Sequence, residues 1–420
     1  MSRRRVWITG IGAVTPIGTG RDALWAGVRA ARSPVRRIDR FDPSPFRSQV
    51  AAQIDDFEPL DHMEPRTARQ LDRFSQFSLA AGRQALGDAG LEPGSATVDR
   101  DRFGVYLGSA LGGIAYAEVQ HERFMEKGIR QVAPNLALAV FGGAAPANLG
   151  IALDLRGPIL STANSCASGA VALGEALRAI RDGTIDAAIA GGAEVPLSPL
   201  AFGAFDIIRA LSSGSNDMPE RAARPFDEAR DGFVMGEGVG LLVLEAEDVA
   251  RARDARPYAE VLGYGSTSDA HHMVQPRADG REAARAIGLA LADAGTSADE
   301  IDYVNAHASS TPLGDVAEAR AIATALGERV RTVPVSGTKA LYGHPLGASS
   351  AIEAAICALT IREGWAPGTA NLEIPDPVVV EQVPGLLIEG RAGRYERVLS
   401  TSFGFGGLNA AIVYGAPPAI

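Results

Sequence analysis

The stretch Asn164-Ser165-Cys166-Ala167-Ser168-Gly169 sets a cysteine in a turn of small residues between two unlike segments. Ahead of it, GPILSTA (157–163) is short and apolar and predicts a buried strand. Behind it, AVALGEALRAIRDG (170–183) repeats apolar residues at helical spacing and stops at a glycine. A cysteine at such a junction faces unpaired N–H groups and the positive end of the helix dipole. That position favours the thiolate, which is the nucleophile. Most free cysteines are only small buried hydrophobes, so a reactive one needs a partner. Two downstream stretches offer one: VNAHASSTPLGD (304–315) carries His307, and GTKALYGHPLGASS (337–350) carries Lys339 and His344. Histidine can stabilise a thiolate and later a developing negative charge near neutral pH. A fourth stretch, TSFGFGGLNAAIV (401–413), holds a Gly-Phe-Gly-Gly turn whose backbone N–H groups can approach a substrate as an oxyanion hole requires.

These groups are far apart in the chain, so the elements between them must bring them together. Strands are predicted at 6–10, 103–109, 186–192 and 238–247, and helices at 22–31 and 67–90. Residues 31–57 lack a clear period and are assigned to loop. Two motifs repeat: ALGDAG (85–90) precedes an acidic loop and the strand FGVYLGS, and ALADAG (290–295) precedes another acidic loop and IDYVNAH (301–307). The helix after Cys166 ends ALRAIRDG, and the one after His344 ends ALTIREG. Two matched pairs in the same order indicate duplicated units of strands and helices, with largely parallel sheets. A pseudo-twofold between them would make the Cys166 and His344 turns counterparts at one site. The segment RARDARP (251–257) marks the seam, giving halves 1–253 and 254–420.

Composition narrows the function classes. The chain has 420 residues, 46% hydrophobic and 21% charged, enough for one large or two medium cores. A net charge of -10 argues against general nucleic-acid binding. Cys166 and Cys357 are the only cysteines, which excludes a disulfide framework and fits a reducing cytoplasm. Cys357 falls within an Ala/Ile-rich helix and is assigned to the core. The N-terminal Met-Ser-Arg-Arg-Arg followed by VWITGIGAV superficially mimics a signal peptide, but its apolar run is short and broken, so a first strand is expected. His271-His272 has no third ligand at metal spacing, and no metal site is expected.

Taken together, Cys166 in Cys-Ala-Ser-Gly, Asn-Ala-His at 305–307, STPLGD at 310–315, Lys339 with Gly343-His344, and FGFGG at 403–407 resemble the elongating β-ketoacyl-acyl-carrier-protein synthases of the thiolase superfamily. WITGIGAVTPIG, GGAE (191–194), ARPFDEARDGFVMGEG (223–238) and SDAHHM (268–273) extend the resemblance over essentially the whole chain. The resemblance implies a thiolase-like α/β fold with duplicated βαβ halves in an α-β-α-β-α core. It implies a decarboxylative Claisen condensation: Cys166 takes an acyl group from a carrier thioester, and His307 and His344 assist decarboxylation of malonyl-carrier thioester. Lys339 would order the site with Glu353, and Phe405 would gate it and form the oxyanion hole with the N–H of Cys166. Asp269 would anchor a mobile loop, and Leu111 would line the acyl pocket. Ser309 and Thr311 would bind the pantetheine arm, while Arg66 and Arg69 would dock an acidic carrier protein. A solvated helix face is the alternative for the two arginines. No cofactor or metal is implied, because the phosphopantetheine arm arrives on the carrier.

Several positions depart from the family pattern. Asn164-Ser165 stands where Thr-Ala is usual, and Ala308-Ser309 where Gly-Thr is usual. Val274 and Gln275 replace hydroxyl residues, Ser215 a basic residue, and Leu408 a threonine. These changes bear on pantetheine phosphate recognition. They favour, as an alternative, a ketosynthase subunit of a type II polyketide or polyene system, paired with a chain-length-factor-like chain rather than with itself. A non-catalytic chain-length partner would not need Cys166, His307, His344 and Lys339. A degradative thiolase would need a second reactive cysteine in a Gly-rich loop.

Overall fold

The computed structural model describes residues 3–91 and 97–418; part of the acidic loop after Gly90, and Met1 and Ser2, lie outside them. Ten strands and six helices build the frame. The first half holds β1 (Val6–Thr15), α1 (Arg73–Asp88), β2 (Phe103–Gly108), α2 (Ala144–Leu153), β3 (Ile159–Thr162), α3 (Ser168–Arg181), β4 (Ala187–Glu194) and β5 (Gly238–Ala246). The second holds β6 (Ala259–Ser268), α4 (Arg281–Ala294), β7 (Tyr303–Ala306), α5 (Pro312–Leu326), β8 (Val335–Gly337), α6 (Ser349–Glu363), β9 (Arg397–Gly404) and β10 (Leu408–Gly415). The first five strands lie in the order β3-β2-β4-β5-β1, and the last five repeat it as β8-β7-β9-β10-β6. Trp7 and Ile8 of β1 pair with Glu260 and Ala259 of β6, joining the two sheets edge to edge.

Each sheet is mixed rather than largely parallel. In the first, β2 is parallel to β3 and β4, while β4–β5 and β5–β1 are antiparallel; the second sheet repeats this pattern. Only strands linked by a crossover helix, such as β2-α2-β3, are obliged to run parallel. The β9–β10 hairpin turns back through a tight loop and must be antiparallel.

Three apolar clusters define five layers. Helices α1 and α2 cover the outer face of the first sheet, with Phe74, Phe77 and Leu149 against Val105, Ile189 and Leu241. Helices α4 and α5 do the same for the second, with Ile287 and Ile322 against Val304 and Val413. Helices α3 and α6 fill the middle, and α6 is buried on all sides through Thr360, as an apolar helix between two sheets should be. Cys357 lies fully buried there.

Three local expectations change. The predicted helix 67–90 is two helices, Pro65–Gln70 and α1, because Leu71 is extended and Asp72 caps α1 by accepting the Ser75 N–H at 3.1 Å. β3 is not buried: it is the outer strand of its sheet, with Ile159 45% and Leu160 38% exposed. Residues 31–57 contain a two-residue ladder, Arg36–Arg37 with Val50–Ala51, within otherwise irregular chain.

Candidate active site

Cys166 lies in a 3-10 turn, Ser165–Ala167, that leads into α3. The other half has the matching turn, Leu346–Ala348, leading into α6. Both turns open with a non-glycine residue in the left-handed region, Ser165 at φ 52° and Leu346 at φ 35°. Such a conformation costs about 1–2 kcal/mol, held in place by the packing around it. In each half it lets the chain turn directly into a central helix. The Ala170 N–H donates to Ser350 Oγ at 2.8 Å, tying the start of one central helix to the other.

This packing brings the predicted nucleophile and histidines together. Cys166 Sγ and His344 Nε2 are 3.1 Å apart. The His307 and His344 rings meet edge to face at 5.3 Å, and one donor atom from each of Cys166, His307 and His344 falls within 4.8 Å of the others. His344 Nδ1 lies 2.7 Å from Ser349 Oγ, the first residue of α6. A hydroxyl both donates and accepts, so Ser349 can hold either imidazole tautomer. His307 Nδ1 is buried with no hydrogen-bond partner among the described residues. His307 follows β7 directly; its backbone N–H donates to Glu318 Oε1 at 2.7 Å and the Ala308 N–H to Glu318 Oε2 at 2.7 Å.

Lys339 is 2% exposed and donates to Glu353 Oε1 and to the His307 carbonyl. Only two of the chain's 40 Lys and Arg residues are lysine, Lys127 and Lys339. The compact ammonium can fill a small buried niche that a guanidinium fork would not fit. Burial, then the Lys339 charge, holds both imidazoles well below the usual histidine value, so both are neutral at physiological pH. Burial also pushes the Cys166 thiol up, against the pull of the Ser165 hydroxyl, the Lys339 charge and the Phe405 N–H. Desolvation therefore keeps the resting pair a thiol beside a neutral imidazole. Cysteine and two histidines could also hold a soft cation, but the buried Lys339 charge opposes one there.

A cavity of about 370 Å³ leads to this centre, lined by Cys166, His307 and His344 at its floor and by Ser309, Thr311, Asp269 and Phe405 on its walls. Ser309 and Thr311 hydroxyls lie 2.9 Å apart. Asp269 accepts from Asn409 Nδ2 at 2.7 Å and from the Arg277 N–H at 3.1 Å, holding the 269–277 loop against the β9–β10 turn. Gly407 in that turn has φ 67°, and a Cβ there would lie 2.5 Å from the Asp269 Cβ, so the latch needs glycine. Phe405 stacks on Phe205 at 6.1 Å, and Phe233 stands edge-on to His344 at 5.2 Å. Leu111 does not line this cavity; it packs with Cys166, Phe202 and Leu346 in the apolar cluster beyond it. Arg66 and Arg69 are exposed on the short helix Pro65–Gln70 and also lie off the cavity.

Sequence reading missed other members. Arg209 lines the mouth of the cavity, has φ 57° and makes no ion pair among the described residues. Val274 and Gln275, already singled out in the sequence, line it too, while His272 Nδ1 accepts their backbone N–H groups at 3.0 and 3.1 Å. Ser349 was legible only as part of GASS and Glu194 only as the end of GGAE, while Glu318 carried no signal of its own; the partners of Glu194 lie in distant segments.

A buried thiol beside two neutral histidines, set where two topologically identical halves meet, is the build of a thiolase-like condensing acyltransferase. Residues 3–250 match the beta-ketoacyl synthase N-terminal domain and residues 258–373 the beta-ketoacyl synthase C-terminal domain, and the chain belongs to that family. A 3-oxoacyl-[acyl-carrier-protein] synthase 2 from Vibrio cholerae serotype O1 is 40% identical, covering 99% of each chain. Among solved structures, a type II polyketide ketosynthase in complex with its acyl-carrier protein aligns with TM-score 0.91 and 32% identity, over 99% of this chain and 100% of that one. The ishigamide ketosynthase/chain length factor aligns with TM-score 0.91 and 34% identity, with the same coverage.

Proposed function

We propose that this chain is a 3-oxoacyl-[acyl-carrier-protein] synthase in which Cys166 is the acyl acceptor and His307 and His344 are the decarboxylation pair. The convergence of Cys166, His307 and His344 at the floor of one cavity carries this reading. In the first half-reaction Cys166 Sγ attacks the carbonyl carbon of the acyl-carrier thioester. Its proton passes to His344 Nε2 at 3.1 Å, and the N–H groups of Cys166 and Phe405 hold the oxyanion. Collapse expels the pantetheine thiolate, which takes the proton from His344. In the second, the malonyl thioester carbonyl oxygen sits between the two imidazoles. Its C–CO2⁻ bond breaks, carbon dioxide leaves, and the electron pair becomes an enolate that both histidines stabilise as donors. The enolate carbon attacks acyl-Cys166, the Cys166 thiolate leaves, and a proton taken up restores the thiol. Burial serves this step, since neutral imidazoles donate where a charge is developing in a water-poor site.

The partners follow from the cavity mouth and the sheet edge. A carrier protein presents the thioester on a phosphopantetheine arm, so no resident cofactor is required. Arg209 in the cavity lining supplies a cation for the arm's phosphate in this reading, and exposed Arg66 and Arg69 supply positive charge for an acidic carrier. The open edge of β3 is flanked by exposed Leu138, Phe141 and Ile151, an apolar band that a second copy of the chain would cover. The higher identity to a 3-oxoacyl-[acyl-carrier-protein] synthase 2 than to the polyketide ketosynthases favours a homodimer in fatty acid synthesis. Two free cysteines and this metabolism support a cytoplasmic location.

Intact-mass spectrometry of wild type and Cys166→Ala with acyl-carrier thioesters of graded length tests the reading. Wild type alone is expected to carry an acyl adduct, discharged by malonyl-carrier thioester as 3-oxoacyl product. Absence of an adduct on folded wild type at every length would overturn it.

A further inference from the structure

The matched halves leave a second place in the molecule where a reactive pair would sit by symmetry. His307 directly follows β7, and its counterpart directly after β2 is Ser109. Cys166 occupies the middle of the turn before α3, and its counterpart before α6 is Gly347. These two counterparts are joined by one side chain, Glu194 at the end of β4, which is fully buried. Its Oε1 accepts the Ser109 hydroxyl at 2.9 Å and the Leu111 N–H at 3.0 Å. Its Oε2 accepts the Ala110 N–H at 2.6 Å and the Gly347 N–H at 3.0 Å. Ser109 Oγ in turn accepts the Gly112 N–H at 2.9 Å. Gly347 is required for this approach, since a Cβ there would lie 2.6 Å from the Ala110 nitrogen and 2.8 Å from Glu194 Oε2.

The two segments that Glu194 holds serve different steps. The 109–112 loop carries Ala110 and Leu111, which pack in the apolar cluster that contains Cys166, the side of the thiol that the condensing reading gives to the acyl chain. Gly347 is three residues after His344 and two before Ser349, the hydroxyl that sets the imidazole. All four donors are uncharged, and burying a carboxylate without a cationic partner costs several kcal/mol unless every oxygen is satisfied. Simple packing at this position would be met by an apolar side chain; the carboxylate brings convergent backbone recognition of two loops.

We propose that Glu194 is a positioning residue that couples the acyl-pocket wall to the His344 turn, so that the fit of the acyl chain and the geometry for malonyl decarboxylation are set together. This rests on the condensing reading above. The shared oxygen Oε2 is the link: a shift of the Ala110 N–H as Leu111 adjusts to a chain is felt at Gly347, and through it at His344 and Ser349.

The test uses full-length wild type, Glu194→Gln and Ser109→Ala, each normalised to the fraction that forms an acyl adduct. Two rates are read for each: acylation by carrier thioesters of graded length, and carbon dioxide release from malonyl-carrier thioester. Glu194→Gln places an amide NH2 against N–H donors. It is expected to lower decarboxylation about 10- to 100-fold and to flatten the chain-length profile in the same variant. Ser109→Ala keeps the carboxylate and removes one donor, and is expected to move both readouts the same way by about threefold. A purely structural role would lower Tm and the active fraction while leaving the normalised profile and the ratio of the two rates as in wild type. That result, or a change in one readout without the other, would overturn the coupling. If Glu194→Gln does not fold, Ser109→Ala decides on the same criteria. Wild type lacking both half-reactions would instead overturn the condensing reading itself.

Discussion

The two halves share strand order, pairing directions and helix placement, yet they divide the chemistry unequally. The first supplies the thiol, Cys166, with Leu111 in the apolar cluster beside it. The second supplies His307, His344, Lys339 and the Phe405 turn. At the turn before the central helix one half holds a thiol and the other Gly347; after the second strand one holds Ser109 and the other His307. The duplicated frame gives two equivalent positions, and the side chains make only one of them reactive. The second position is spanned by Glu194, so the symmetry that places the reactive centre also places its brace.

The unequal division can be broken most severely at the histidines. His344→Ala removes the group 3.1 Å from Cys166 Sγ and should lower both acylation and decarboxylation about 10²- to 10⁴-fold. His307→Ala should lower decarboxylation by a similar factor but leave acylation within about tenfold, since His307 is not hydrogen-bonded to the sulfur. Rapid-quench measurement of each half-reaction checks this, and equal losses in both steps for His307→Ala would contradict the assignment.

The glycine counterpart of Cys166 gives the next largest effect. Gly347→Ala forces a Cβ against the Ala110 nitrogen and Glu194, and should cost about 1–3 kcal/mol of stability as an overpacked site. Chemical denaturation at constant m-value measures it, and a loss below about 0.5 kcal/mol would show that the two turns are not held as tightly as the packing indicates.

A pH-dependent effect concerns Glu318, which holds the His307 and Ala308 N–H groups and is pushed up to about 7 by burial. A carboxyl raised from 4.5 in the unfolded chain contributes stability that is complete below 4.5 and lost as pH rises through about 7. Glu318→Gln does not titrate, so its stability deficit against wild type should be largest at pH ~5 and narrow by up to about 3 kcal/mol by pH ~8. Paired denaturation curves at the two pH values check the sign. A deficit that widens with pH would mean that the folded state favours the carboxylate.

Much of the site was legible because its residues sit in local motifs at element ends. Cys166 before a helix, His307 after a strand, and Lys339 with His344 in a Gly-rich turn are positions that chain-local geometry marks out. The repeat ALGDAG/ALADAG likewise exposed the duplication, because each copy ends the equivalent helix, α1 and α4. Strand direction was not legible, since a hydrophobic run looks the same whether its neighbour runs with it or against it. The exposure of β3 was hidden for a similar reason: Ile159 and Leu160 have the composition of a buried strand, and only the sheet order makes them an edge. The break at Leu71–Asp72 was masked by apolar periodicity that continues across it, although Asp72 is a strong cap residue.

Residue types and their immediate neighbours settled which groups can react and which turns present them, because nucleophile, imidazole and glycine requirements are local properties of the chain. The tertiary structure alone decided their charge states and their alliances. Burial between two sheets leaves Cys166 a thiol and both histidines neutral, and it draws Glu194 onto backbone groups far away in the chain. Desolvation and convergence depend on what packs around a residue, and that is fixed only when the halves close on one another.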